Sequence, residues 1–285
     1  MTLISNRLRT AFFTVECPLR VLDSTSIIDK RPEQLKMDFF LWSRAAVGQL
    51  IEQEYGLKLQ VRSIGKYLAR WGFTPQRPIK RAYEQNPEAV QVWLQGEYPG
   101  IEQRAKREGA EIHWGDETAL INTDVRGRSY APAGKTPVAL AVGGTRQKLS
   151  MIATVTNQGK TRWMIIEEAF DANKFCELLQ ALIKDAGKKV FLILDNLRVH
   201  HSKIVKAWVA ERKEQIELFY LPSYSPQINP EERLNADLKQ EMSKRVPVRT
   251  KVKLRQAAAE HMTMLEKTPE HVIAYFQDQH VKYAA

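Results

Sequence analysis

The run Val190-Phe191-Leu192-Ile193-Leu194-Asp195 constrains this chain more than any other stretch. Apolar residues follow one another without a break, and a carboxylate ends them. A continuous apolar run of this length reads as a strand buried on both faces of a mixed or parallel sheet. Such a strand ends at the carboxyl edge of the sheet, where open α/β folds bind ligands. Asp195 therefore reads as an edge carboxylate able to hold a metal ion. The competing reading is a helix cap, since Asp is a good N-cap.

The chain around that strand has the pattern of a mixed sheet. Glu111 to Asp116 roughly alternates polar and apolar, which predicts a strand ending in a carboxylate. Val138 to Val142, Leu149 to Thr156 and Thr161 to Glu167 read as three further strands. Asp171 to Ala186 reads as an amphipathic helix that holds Cys176 in the core, and a helix from about Ser202 to Lys213 leads to a strand at Ile216 to Leu221. Strands first and helix-strand alternation afterwards predict an α/β mixed sheet flanked by helices. A proline-set loop, Leu221 to Ile228, then precedes a helix that Asn229 caps and Pro230 opens. Glu231 and Glu232 lie in its first turn, and Leu234, Leu238 and Met242 form its apolar stripe. A last helix is expected from about Arg255 to Leu265.

The first half has another character. Residues 1 to about 30 show no sustained period and read as an atypical segment. Pro32 to Leu35 looks like a short helix start. Ser43 to Tyr55 reads as a helix with Ala46, Val47, Leu50 and Ile51 on one side and Gly56 at its end. A second helix, Val61 to Trp71, follows a short connection, which gives the dimensions of a helix-turn-helix. Arg62, Lys66 and Arg70 recur at helical spacing on one face of it. From Lys58 to Tyr83 the chain carries those three with Lys58, Arg77, Lys80 and Arg81, and no acidic residue. A solvated face ordinarily mixes signs, because like charges one turn apart repel. An unopposed basic face suits the phosphates of a DNA groove. Arg77, between two prolines, either enters a minor groove or belongs to a linker. Pro87 to Arg107 reads as a helical connection weakened by Gly96 and Pro99, with a domain boundary near residue 108.

Charge supports a polyanionic partner. The 285 residues carry a formal net charge of +10, which on a soluble protein points to nucleic acid. Two distant cysteines, Cys17 and Cys176, fit no metal-ligand spacing and no disulfide framework. No apolar run approaches bilayer length, and the N-terminus has no signal-peptide pattern. These features predict a cytoplasmic protein associated with the nucleoid.

Three carboxylate positions stand out: Asp116, Asp195, and Glu231 or Glu232. Carboxylates gathered at one point repel unless a cation neutralises them. Oxygen ligands beside phosphates suit Mg²⁺ or Mn²⁺, and two such ions can activate a water and stabilise the leaving oxygen of a phosphodiester. Either glutamate alone is also explained as a favourable charge at a helix start. His200 and His201 are neighbours whose side chains need not converge. They read as DNA or substrate contacts, or as polar residues at a helix start. Trp114 reads as core. On a helical wheel Glu231 falls nearer the Leu234/Leu238 stripe, at the sheet side, so geometry alone does not choose Glu232.

Gly-Asp-Glu-Thr at 115–118, Leu-Asp-Asn-Leu-Arg-Val-His-His at 194–201 and Leu-Pro-Ser-Tyr-Ser-Pro-Gln-Ile-Asn-Pro-Glu-Glu-Arg-Leu-Asn at 221–235 resemble the three blocks of the IS630 transposases. Those form the bacterial branch of the Tc1/mariner group of DDE transposases. The resemblance runs from near residue 32 to the C-terminus. It implies an RNase H-like catalytic domain whose acids, and Mg²⁺ or Mn²⁺ ligands, are Asp116, Asp195 and Glu232. Its pattern places the third acid two residues after the proline, which selects Glu232. It also implies a homodimer acting on double-stranded DNA, with terminal inverted repeats as ends and TA as target. Relatives of this kind carry a further N-terminal helix-turn-helix, so the chain is expected to be shortened there. The domains expected are an atypical segment (1–30), a helix-turn-helix domain binding DNA through Arg62, Lys66, Arg70, Arg77, Lys80, Arg81 and, from the other half, His200 (31–85), a connecting helix (86–108), the catalytic domain (109–250) and a C-terminal helical tail (251–285). The competing functions are an RNase H-like nuclease without strand transfer and a decayed transposase that only binds DNA.

Overall fold

The computed structural model describes residues 24–285 apart from 77, 79–81, 123–131, 138–145, 168–169 and 245–247. The chain packs as two units, one up to residue 80 and one from residue 81 onward.

The first unit holds α1 (Ser24–Asp29), a 3-10 turn (Pro32–Leu35), α2 (Arg44–Tyr55) and α3 (Val61–Arg70). Ser43 caps α2 by accepting the Ala46 N–H, and Gly56 closes it with φ 68°, a conformation that favours glycine. Ala46, Val47, Leu50 and Ile51 are all buried, against Ile64 of α3 and against Ile27 and Met37. A methyl group on Gly48 would stand 2.7 Å from Ile64 Cδ1, so the bare backbone lets α2 and α3 meet closely. The expected helix-turn-helix is present. The segment expected to be atypical is helical over Ser24–Asp29.

The second unit runs through α4 (Pro87–Val92), a π-helical turn (Trp93–Glu97), α5 (Tyr98–Glu108), β1 (Glu111–Ile121), β2 (Lys148–Val155), β3 (Thr161–Ile166), α6 (Ala172–Ala186), β4 (Val190–Leu194), α7 (Lys203–Ala210), β5 (Ile216–Tyr220), a 3-10 turn (Pro226–Ile228), α8 (Glu231–Lys244), α9 (Lys251–Lys267) and α10 (Pro269–Tyr275). The strands form one sheet in the order β3-β2-β1-β4-β5. β1, β2 and β3 are antiparallel neighbours, while β4 and β5 run parallel to β1. This is the RNase H-like arrangement. Every residue of β4 is buried, as its unbroken apolar run predicts. Phe191 and Ile193 face a core shared with Trp114, Leu234 and Leu238. Val190, Leu192 and Leu194 face the other side, against Phe175, Leu179 and Leu182 of α6.

Two expectations change. The stretch from Pro87 to Glu108 does not stand between domains, because Trp93, Tyr98, Ile101 and Ala105 enter the same core as Trp114. The packing boundary therefore falls at residues 80/81 and not near 108. Pro99 has no N–H to give to the carbonyl four residues back, and the helix widens into a π turn there instead of breaking. The C-terminal segment is likewise no loose tail: Leu254, Met262, Leu265 and Phe276 are buried in that core. The strand expected at Val138 to Val142 lies outside the described residues. Among the described residues no helix is long and apolar enough to cross a membrane.

Candidate active site

The site forms where β1 and β4 separate. Their pairing ends at Trp114 opposite Ile193, whereas β1 continues beside β2 as far as Ile121. The strand expected to stop at Asp116 thus runs on, and Asp116 lies just beyond the last β4 pair. Asp195 directly follows the end of β4. Gly115 makes the approach possible, since a methyl group there would stand 2.9 Å from Leu194 Cδ2. The third acid arrives on the first turn of α8, which Leu234 and Leu238 press against the sheet.

Asp116, Asp195 and Glu232 line one cavity of about 370 Å³, closed on one side by the Leu221–Pro226 loop. Glu231, beside Glu232 on the same turn, is fully buried and does not line the cavity. Asp195 Oδ1 accepts the Leu197 N–H at 3.2 Å, so Asp195 caps a turn. The cap of α7 is Ser202.

The electrostatics follow from this gathering. Burial, then the charges of Glu232 and Asp195, push the Asp116 carboxyl up to about 8. Glu231 is raised well above the usual carboxylate range by burial, with Asp116 and Glu232 adding to it. Lys239 opposes both shifts and does not overcome either. Among the described residues no three His, Cys, Asp or Glu side chains are already drawn together as a metal site. The donor set is nonetheless all oxygen, and its members repel. That chemistry fits a hard divalent cation, which would have to draw the acids in.

Residues 111–255, half of the chain, match the family described as DDE superfamily endonuclease. The chain belongs to the DDE superfamily endonucleases. Residues 38–97 of the endonuclease match a second family, described as winged helix-turn helix. Among the described residues of that stretch there is no strand. No curated protein matches the endonuclease. Solved structures of similar fold include the Mos1 mariner paired end complex with Mn, with a TM-score of 0.60 at 14% identity, covering 95% of this chain and 81% of that one. The Mos1 strand transfer complex gives a TM-score of 0.57 at 14% identity, covering 86% and 78%. At such identity the likeness speaks for the fold.

The endonuclease exposes Arg62, Lys66 and Arg70 together on α3 while Ile64 faces inward, as the sequence pattern predicts. Arg77, Lys80 and Arg81 lie outside the described residues. His200 needs a correction. It was expected to touch DNA, yet it is 1% exposed, packed on Phe175 with its ring 4.6 Å away. Its Nδ1 lies 3.1 Å from the backbone oxygen of Asp195 and 3.3 Å from Oδ1, so it braces that residue from beneath. The sequence reading also passed over Asn235. This buried residue donates from Nδ2 to Glu231 and to Asp116. The available signal was a weak helix former placed inside a helix beside its apolar stripe.

Proposed function

We propose that this endonuclease is a transposase of the IS630 kind, which cuts the ends of an insertion element and joins them to target DNA. The observation that carries the reading is the meeting of Asp116, Asp195 and Glu232, from three separate stretches of chain, around one cavity. In this reading those three are the catalytic acids and the metal ligands. Two Mg²⁺ or Mn²⁺ ions held there would supply the charge needed to activate a water or a 3′-hydroxyl and to stabilise the leaving oxygen.

The chain's own residues have separate tasks. Asp116 and Asp195 are fixed by hydrogen bonds, from the Glu117 N–H at 2.8 Å and the Leu197 N–H at 3.2 Å. Glu232 accepts no hydrogen bond from a described residue, so it is the acid free to adjust. The Leu221–Pro226 loop walls one side of the cavity. α3 grips DNA phosphates through Arg62, Lys66 and Arg70, and Arg77, Lys80 and Arg81 are further DNA-binding residues. The helix-turn-helix is the DNA-binding domain, and residues 109–250 with the helices flanking them form the catalytic one. The DNA is the element's terminal inverted repeats, TA is the target, and a homodimer on the nucleoid pairs the two ends. Support comes from the family match, and from the Mos1 structures of like fold, which are a paired end complex with Mn and a strand transfer complex.

The test uses the full chain with its flanking element DNA and Mg²⁺. Asp195→Asn is expected to lower nicking by at least about 10³-fold, the scale on which loss of a central electrostatic group acts, with DNA binding kept. Nicking by the variant at the parent rate would refute the assignment. Strand-transfer products from a labelled repeat end distinguish a transposase from a nuclease. Arg62, Lys66 and Arg70 changed together to Ala should reduce the log–log salt slope of binding by about 2 to 3. An unchanged slope would remove that face from the interface.

A further inference from the structure

Helix α8 is tied to β1 by two asparagines. Asn229 Nδ2 donates to the Gly115 carbonyl oxygen at 3.3 Å, and Asn229 Oδ1 accepts the Glu231 N–H at 3.1 Å. One turn further on, Asn235 Nδ2 donates to Glu231 Oε2 at 2.6 Å and to Asp116 Oδ2 at 3.3 Å. Asn235 is 2% exposed and Glu231 is not exposed at all. The amide nitrogen faces the two carboxyl groups and donates to each of them.

Packing does not require this pair. Leucines at 231 and 235 would continue the Leu234/Leu238 stripe without desolvating polar atoms. Glu231 Oε1 and Asn235 Oδ1 are moreover buried without partners among the described residues, which is a cost in stability that calls for a reason. The reason lies at Asp116. Repulsion from Asp195 and Glu232 tends to turn its carboxylate away from the cavity. The Glu117 N–H holds Oδ1 and Asn235 holds Oδ2, so the plane of the group is fixed from both oxygens. The donor is neutral. A lysine or arginine in that place would neutralise Asp116 and compete with a bound cation.

We propose that Asn235 is a positioning residue that keeps the Asp116 carboxylate aimed into the cavity, and that Glu231 anchors the Asn235 amide. This rests on the reading of Asp116 as a metal-binding catalytic acid. Glu231 then has a task distinct from that of Glu232 beside it: it holds the holder.

The experiment titrates the full chain with Mn²⁺ alone by calorimetry and follows nicking and thermal unfolding in parallel. Asn235→Leu is expected to bind Mn²⁺ about 10- to 100-fold more weakly and to lose kcat with the KM for DNA unchanged, and to unfold somewhat earlier because Glu231 loses its donor. Asp116→Asn, run alongside, separates the two levels of the argument. If it binds Mn²⁺ like the parent, the reading of the acid falls and the inference with it. If it loses binding while Asn235→Leu does not, the inference alone is overturned. Should Asn235→Leu fail to fold, Glu231 decides. Glu231→Gln keeps an acceptor for the Asn235 amide and should stay within about threefold of the parent in Mn²⁺ affinity, whereas Glu231→Leu should weaken it about tenfold or more. Equal losses in the two variants would overturn the proposal.

Discussion

Glu111 and Asp116 stand on the same strand, partly or wholly out of water, and their surroundings treat them in opposite ways. Glu111 accepts a hydrogen bond from His113 Nε2 at 2.9 Å and pairs with Lys160 through its other oxygen. These partners, His113 first, outweigh burial and bring its carboxyl down to about 2. Burial lowers the pKa of His113, so its ring is neutral, donating from Nε2 and accepting at Nδ1 from Thr154 Oγ1 at 3.2 Å. Asp116 has acids for neighbours and is pushed up to about 8. One end of the strand spends its buried charge on holding the sheet together. The middle keeps an electrostatic conflict unresolved, and that is what a site awaiting a cation requires.

The comparison can be broken most sharply at Asp116. Asp116→Asn should lower nicking by about 10³-fold or more, yet in metal-free buffer at pH 8 it should unfold at a higher temperature than the parent. A gain of about 1 kcal/mol corresponds to about 2–4 °C for a unit of this size. The sign follows from linkage. A carboxyl raised from 3.8 to about 8 contributes stability that is present below pH 4 and lost as pH rises toward 8. The parent's melting temperature should fall across that window, and the variant's should not. A lower melting temperature for the variant at pH 8 would show that Asp116 is not under repulsion.

Glu111 should behave in reverse. Glu111→Leu is expected to cost about 3 kcal/mol, since it strands a buried donor and an ammonium group, while the folded fraction nicks DNA at the parent rate. Its own linkage runs the other way: a carboxyl lowered from 4.5 to about 2 gives stability present above pH 4.5 and lost as pH falls toward 2. Differential unfolding from pH 2 to 5 should lose this acid limb in the variant. The smallest effect belongs to Lys160→Met, because that lysine is 39% exposed and its pairing is screened by water. About 1 kcal/mol or less is expected from chemical denaturation. A loss as large as that of Glu111→Leu would place the pair's strength in the lysine and not in the neutral histidine.

Much of the fold was legible because local chemistry agreed with it. The VFLIL run could only be a strand covered on both faces, and Ser43, Gly56, Asp171 and Ser202 stand where the helix caps are found. The helical wheel did not decide between Glu231 and Glu232, since it put Glu231 nearer the sheet side; the choice of Glu232 for the cavity came from the family resemblance. What could not be read depended on partners far along the chain. β1 outruns its predicted end because β2 stays beside it after β4 has left. His200 looked like a surface residue until Phe170 and Phe175 folded over it. Asn235 reads as a poor helix residue until Asp116 is seen next to it.

Tyr283 brings a consequence for synthesis. Its ring packs on Trp93, Tyr98 and Trp114, and its hydroxyl donates to the Ile228 carbonyl oxygen at 2.6 Å, in the turn that leads into α8. A nascent chain that has emerged only as far as Lys244 therefore already carries Asp116, Asp195 and Glu232 but lacks the Tyr283 contact to the turn ahead of α8. The order of translation separates the synthesis of these acids from the completion of the packing ahead of α8.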